Sequence, residues 1–337
     1  MNEPTYLIVI GTSAGGMPAL TELVSQLSHT LPAAVMVVQH LAPDSSGIHL
    51  VNRLANHTDL YCHLASPELP IENGHLYLAP ADRHLLVRDG RMLVTKGPRE
   101  NHYRPAADAL FRSAAAAYGS RVIGVVLTGM LHDGTSGLEF VKRCGGLAVV
   151  QDPHEAEFSS MPESALRNVD IDYVVPLHEL GPLLTRLVNQ PIRDPKPVPE
   201  DIKMEAAIAE RVVGTITEVD KLGTLVAMTC PDCGGNLWQV KHGKLLRYRC
   251  HTGHAFSADA LLKNHQETLE ETLWVALRMM EERKNLLTSM AVRGEGAWSI
   301  QQEERTEEIK KHINRLREFL LNGMPSSTPA ETTPDEG

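Results

Sequence analysis

The stretch LIVIGTSAGGMPAL, residues 7–20, decides how the chain folds. Its first four residues are apolar and rich in β-branched side chains, the mark of a short buried strand. Gly11, Gly15 and Gly16 then break the run, and a helix-like spacing of apolar residues resumes. A strand, a glycine turn and a helix in that order belong to open parallel sheets, which bind ligands at the carboxyl ends of their strands. Two chemistries compete for such a turn. A dinucleotide cradle needs G-x-G-x-x-G, but Ser13 stands at the second glycine, and the lysine of a phosphate loop is missing. The turn instead has the form of a nucleophile elbow that lifts Ser13 onto a tight bend. The plain alternative is a serine that caps the following helix.

Working outward, YLIVIG, AVMVVQH, VIGVVLTG, LAVVQD and YVVP read as strands alternating with helical segments. This predicts an α/β fold with a doubly wound, mostly parallel sheet. Between the second and third strands, HLYLAPADRHLLVRDGRMLVTKG alternates around Asp89-Gly90 and reads as an antiparallel hairpin insertion. The expected organisation is a catalytic domain over 1–189, a proline-rich linker over 190–204 and a small zinc-ribbon-like module over 205–256. A helical hairpin over 257–323 and a disordered tail over 324–337 complete it.

The chain has 337 residues, 42% of them hydrophobic, enough to bury a sizeable core. A formal net charge of -10 disfavours sequence-independent nucleic-acid binding. No apolar run reaches the roughly 18 to 20 residues of a membrane span, and the N-terminus lacks the pattern of a secretory signal. A cytoplasmic protein without membrane insertion is expected.

A serine hydroxyl is a weak nucleophile unless a base takes its proton. His40 ends the second strand, and neighbouring strand ends lie about 5 Å apart. A base in turn needs a group that fixes its tautomer. Asp133 in VVLTGMLHDGTSG ends another strand on a second glycine turn and should face the same crevice; otherwise it simply caps the next helix. No cofactor is expected for this chemistry.

Of the five cysteines, three are grouped in CPDCGGNLWQVKHGKLLRYRCHTGH. Cys230 and Cys233 form C-x2-C before a glycine turn, and Cys250 follows with His251 or His254. The C-x3-H spacing favours His254 as the fourth ligand of a structural zinc ion. A segment this small folds poorly without such a staple. The two C-terminal helices carry apolar stripes that suit packing or homo-oligomer formation.

Seven strings, IGTSAGG, VVQH, APDSSG, LYLAPADRHL, NHYRPAADALF, VVLTGMLHDGTSG and MPESA, occur in a familiar order and spacing. Over residues 6–187 the chain resembles the catalytic domain of CheB-type protein-glutamate methylesterases of bacterial chemotaxis. The resemblance implies that Ser13 is the nucleophile, His40 the base and Asp133 its orienting partner. It also implies hydrolysis of glutamate methyl esters on the cytoplasmic helices of chemoreceptors, with glutamine deamidation as a second activity. The tetrahedral intermediate then needs donors such as the backbone N–H groups of Ala14 and Met130.

The order Ser, His, Asp argues against an ordinary α/β-hydrolase. Well-known family members carry a receiver domain ahead of the catalytic one. Here the first catalytic strand starts at Tyr6, so control by a receiver in cis is not expected. Leu131 and His132 replace a glycine and a small polar residue in the family's turn, which alters the oxyanion loop and offers His132 as a competing base. Arg104, in the NHYRP loop with His102, either meets an acidic receptor face or braces its own loop. The competing functions are a serine hydrolase with another acyl substrate and an inactive signalling adaptor.

Overall fold

The computed structural model describes residues 4–67, 69–192, 196–211, 215–293 and 296–322. The expected disordered tail therefore lies outside the described residues. The chain divides into two compact units, residues 1–261 and 262–337.

In the first unit the apolar run becomes β1 (Tyr6–Thr12), followed after the glycine turn by α1 (Gly16–Ser25), β2 (Ala33–Gln39) and α2 (Ile48–Ala55). Next come β3 (Tyr61–Leu64), β4 (His75–Leu78), β5 (His84–Arg88) and β6 (Arg91–Thr95). After α3 (Ala107–Tyr118) the chain runs through β7 (Val122–Val126), α4 (Thr135–Arg143), β8 (Leu147–Gln151), α5 (Ser160–Asn168), β9 (Tyr173–Val175) and α6 (Leu177–Val188).

Seven of these strands form one sheet in the order β3-β4-β2-β1-β7-β8-β9, and every pairing in it is parallel. The strands alternate strictly. Ile8, Ile10, Val35 and Val37 face one core with Leu20 and Leu23 of α1, Leu54 of α2 and Leu184 of α6. Leu7, Val9, Met36 and Val38 face the other with Leu110 and Phe111 of α3, Leu138 of α4 and Met161 of α5. Helices on both faces leave the strands buried on both sides, as parallel sheets require.

The supposed long hairpin divides. Only β5 and β6 pair antiparallel, around Asp89 and Gly90, both with positive φ, whereas HLYL is β4 and runs parallel beside β2. Its alternation suited either role, and the buried Leu76 and Leu78 belong to the main core. The edge strand β3 carried too little apolar signal to be read.

Beyond the sheet, the stretch read as linker to residue 204 is helical from Glu200, in α7 (Glu200–Arg211). Ile202 joins the core below α3, so the prolines end in a packed helix. After α8 (Ile216–Leu222), with a Thr215/Glu218 capping box, a four-stranded antiparallel sheet forms. It comprises β10 (Gly223–Thr229), β11 (Asn236–Val240), β12 (Arg247–Cys250) and β13 (Ala255–Ser257).

The second unit holds most of α9 (Ala258–Arg293) and all of α10 (Ala297–Leu321). They run antiparallel, with Ser299 Oγ donating to the Ala291 carbonyl and Arg317 paired with Glu281 at 3.0 Å.

Candidate active site and metal-ligand cluster

The strand order reverses direction between β1 and β7, and in open parallel sheets it is outside the carboxyl ends of the strands at such a point that ligands bind. Ser13 follows β1 directly. Its N–H donates to the Thr128 carbonyl, and its own carbonyl accepts from Gln39 Nε2 at the end of β2. Gly15, at φ 71, makes the left-handed step that reverses the chain into α1. No side chain caps α1, so the capping role for Ser13 is not realised. Its hydroxyl instead meets His40 Nδ1 at 3.1 Å.

His40 Nε2 lies 2.8 Å from Asp133 Oδ2. With the carboxylate ionised, Nε2 carries the proton and Nδ1 is left as an acceptor facing the serine. Asp133 is fully enclosed, at 1% exposure. It does not cap the helix that follows it. Its oxygens accept from Ala107 N–H at 2.6 Å and Asp108 N–H at 3.1 Å, at the N-terminus of α3. That helix end offers unpaired N–H groups and a favourable dipole to a carboxylate. Asp108 does the reverse for the other helix. Its Oδ1 accepts from Gly134 and Gly137 N–H at the start of α4. Burial, and then the charge of Asp133, push the Asp108 carboxyl well above its ordinary range.

Gly129 packs so close to Ser13 that a Cβ there would stand 3.0 Å from the serine Cβ and 2.1 Å from Met161 Sδ. The turn that follows holds Met130. Among the described residues, the N–H groups of Ala14 and Met130 donate to no protein acceptor. Leu131 adopts φ 69, which explains why a glycine suits this position. His40 is the imidazole in contact with Ser13. Arg104 donates to Asp82 Oδ1 and the Gly97 carbonyl, and so braces its own loop.

One residue that sequence reasoning missed is Tyr103. Its ring lies flat on the His40 imidazole, with centroids 3.7 Å apart and planes 8° from parallel. Burial, then the Asp133 charge, raise its phenol above the ordinary range. The only signal was its place in the NHYRP string.

The C-terminal thiols also converge. Cys230, Cys233, Cys250 and His254 place one ligand atom each within 4.8 Å of one another. Cys233 Sγ and Cys250 Sγ are 3.8 Å apart, and Cys250 Sγ is 3.5 Å from His254 Nδ1. A tetrahedral centre with metal–sulfur bonds of ~2.3 Å and metal–nitrogen bonds of ~2.0 to 2.1 Å has edges of about these lengths. The neighbouring Cys230 and Cys250 thiols shift each other in opposite directions, Cys250 far below its ordinary range and Cys230 above it. His254 Nε2 faces Asp232 at 3.8 Å, the kind of carboxylate partner that metal-ligating imidazoles commonly have. His251 is outside the cluster and lies near Gly235.

A model of the CheB methylesterase family matches residues 8–184, more than half of the chain. The chain belongs to the CheB methylesterase family. It is 38% identical over 183 residues to a putative protein-glutamate methylesterase/protein-glutamine glutaminase of Leptospira interrogans, covering 53% of this chain and 93% of that one. A protein-glutamate methylesterase/protein-glutamine glutaminase of Thiobacillus denitrificans is 38% identical over 182 residues. There the match covers 52% of this chain and 49% of the relative, so the chain spans about half of that longer protein. The crystal structure of the Thermotoga maritima CheB methylesterase catalytic domain superposes with a TM-score of 0.52 at 33% identity. It covers 54% of this chain and 98% of that domain. The family-model match ends at residue 184, within α6, and the metal-ligand cluster lies beyond it. Among the described residues no helix is long and apolar enough to cross a membrane.

Proposed function

We propose that this chain is a protein-glutamate methylesterase of the chemotaxis adaptation system, acting on the cytoplasmic helices of chemoreceptors. The observation that carries this is the continuous hydrogen-bonded line from Ser13 through His40 to Asp133 at the switch point of a CheB-family sheet. Ser13 Oγ attacks the ester carbonyl while His40 Nδ1 takes its proton. Asp133 holds the Nε2 proton in place and balances the imidazolium. The N–H groups of Ala14 and Met130 receive the oxyanion, each worth about 3 to 4 kcal/mol in acyl-transfer sites of this kind. Methanol leaves with the proton from His40, and a water molecule activated by the same base releases the glutamate. With a glutamine the leaving group is ammonia, the second activity printed in the relatives' names.

Cys230, Cys233, Cys250 and His254 hold a structural zinc ion, a role suited by three soft thiolates and an imidazole with no open position. The exposed Trp274, Met279 and Leu286 of α9 support self-association of the full chain, which sedimentation reads directly.

The decisive measurement is methanol release from methylated chemoreceptor by the wild type, Ser13→Ala and His40→Ala. The wild type alone is expected to release it. Equal release by all three proteins would sink the triad, and none by the wild type would sink the substrate. One equivalent of zinc in the purified chain, lost on Cys230→Ser, checks the metal.

A further inference from the structure

Tyr103 sits on His40 because a two-residue turn puts it there. Glu100 and Tyr103 exchange backbone hydrogen bonds of 3.2 and 2.9 Å around Asn101 and His102. Both turn residues have positive φ, 49 and 71, uncommon for residues other than glycine, though Asn and His tolerate it better than most. Contacts from outside the turn fix it further.

The outside support is the metal-ligand module. Asn101 N–H donates to the Ala255 carbonyl at 2.8 Å, and Asn101 Oδ1 accepts from Ser257 N–H at 2.9 Å, so the turn is stitched along β13. His102 leans on Phe256, with ring centroids 5.3 Å apart. Asp232, beside the ligand Cys233, faces both His102 at 3.7 Å and His254 at 3.8 Å. On its other side Asn101 Nδ2 donates to Asp108, whose N–H binds Asp133. The strand that carries the turn begins one residue after His254, and Cys250 N–H bonds the His254 carbonyl. From cluster to base the path is His254, Asp232, His102, Tyr103, His40.

We propose that Tyr103 is a positioning residue for His40 and that metal binding at Cys230, Cys233, Cys250 and His254 keeps it in place, so that loss of the metal slows catalysis. The cluster is thereby a metal-dependent clasp on the active site. This rests on the triad and the zinc site proposed above. A stacked ring limits the rotation of the imidazole about its Cβ. A base displaced by a fraction of an ångström from the serine loses much of its effect, because catalytic geometry is sensitive at that scale.

The test uses the full chain and the rate at which a fluorophosphonate probe labels Ser13, which does not depend on the natural substrate. Metal content is measured on the same samples. Stripping zinc with a chelator under reducing conditions is expected to slow labelling about tenfold to a hundredfold, and added zinc to restore it. Tyr103→Ala should slow labelling as much while retaining one equivalent of zinc, whereas Tyr103→Phe, which keeps the stacked ring, should label at the wild-type rate. Asn101→Gly accommodates the left-handed backbone but loses both side-chain bonds, so it should label slowly with zinc still bound. Unchanged labelling after the metal is removed, or in Tyr103→Ala, overturns the proposal. Slow labelling in Tyr103→Phe overturns the stacking role. Absence of labelling in the untreated wild type would instead fall on the triad itself.

Discussion

Asp133 faces three N–H donors, from His40, Ala107 and Asp108, and an ionised carboxylate satisfies all of them with two oxygens. An asparagine has one acceptor oxygen and an amide group that must oppose at least one of those donors. If the opposed donor is His40 Nε2, the imidazole adopts the other tautomer and Nδ1 can no longer accept from Ser13. Asp133→Asn is therefore expected to lower kcat by about 10⁴-fold, the scale seen when this replacement reverses a triad tautomer. Stability should also fall by roughly 1 to 3 kcal/mol from the unsatisfied donor. Steady-state methanol release and a urea midpoint read the two effects. Ser13→Ala should abolish release with little change in the midpoint, which separates chemistry from folding.

At the scale of elements, α3 and α4 cap each other crosswise. The loop before α4 supplies Asp133 to the start of α3, and the first turn of α3 supplies Asp108 to the start of α4. Asp108→Ala strands the Gly134 and Gly137 N–H groups in a buried place and should cost about 2 to 4 kcal/mol. Asp108→Asn retains an acceptor for both and should cost less, as thermal melting of the two variants will show. The sequence announced the ends of these elements but not their exchange of caps. Ser13, His40 and Asp133 were legible because each ends an apolar run at a glycine turn or strand end, a local pattern. Asp108 sits inside a helix 25 residues from its partner, and β3 is too polar an edge to show periodicity. The prolines before Glu200 outweighed the apolar Ile202 and Ile208, although both pack as core. Tyr103 owes its place to a turn held by residues more than 150 positions away, which no local window contains.

Across the whole first unit, the second sheet joins the CheB-like sheet through buried charge as well as through apolar contact. Glu205 of α7 is completely enclosed and takes a paired hydrogen bond from Arg247 of β12 at 3.0 and 2.9 Å. Arg249 and Arg112 stand 3.7 and 3.9 Å from it, and Arg112 also pairs with Glu100. A buried ion pair contributes little net stability compared with apolar packing, but removing one partner leaves the other charged and unsolvated. Burial opposes ionisation of Glu205, yet the attraction and hydrogen bonds of Arg247, with Arg249 behind it, bring its carboxyl down from 4.5 to about 2. A carboxyl lowered on folding stabilises above its unfolded value and loses that contribution as pH falls through the folded one. The window is therefore about pH 4.5 down to 2, and the contribution is on the order of 3 kcal/mol. Glu205→Gln should cost about 3 to 5 kcal/mol at pH 7. The gap to wild type should narrow steadily below pH 4.5, because Glu205 of the unfolded wild-type chain then takes up a proton that the folded, arginine-paired carboxylate resists. Asp108, whose carboxyl moves the opposite way, acts with the opposite sign but is present in both proteins and cancels in the comparison. Urea unfolding of the two chains at pH 7, 4 and 3 measures the gap, and a gap that stays constant with pH would show that the charge on Glu205 does not hold the two sheets together.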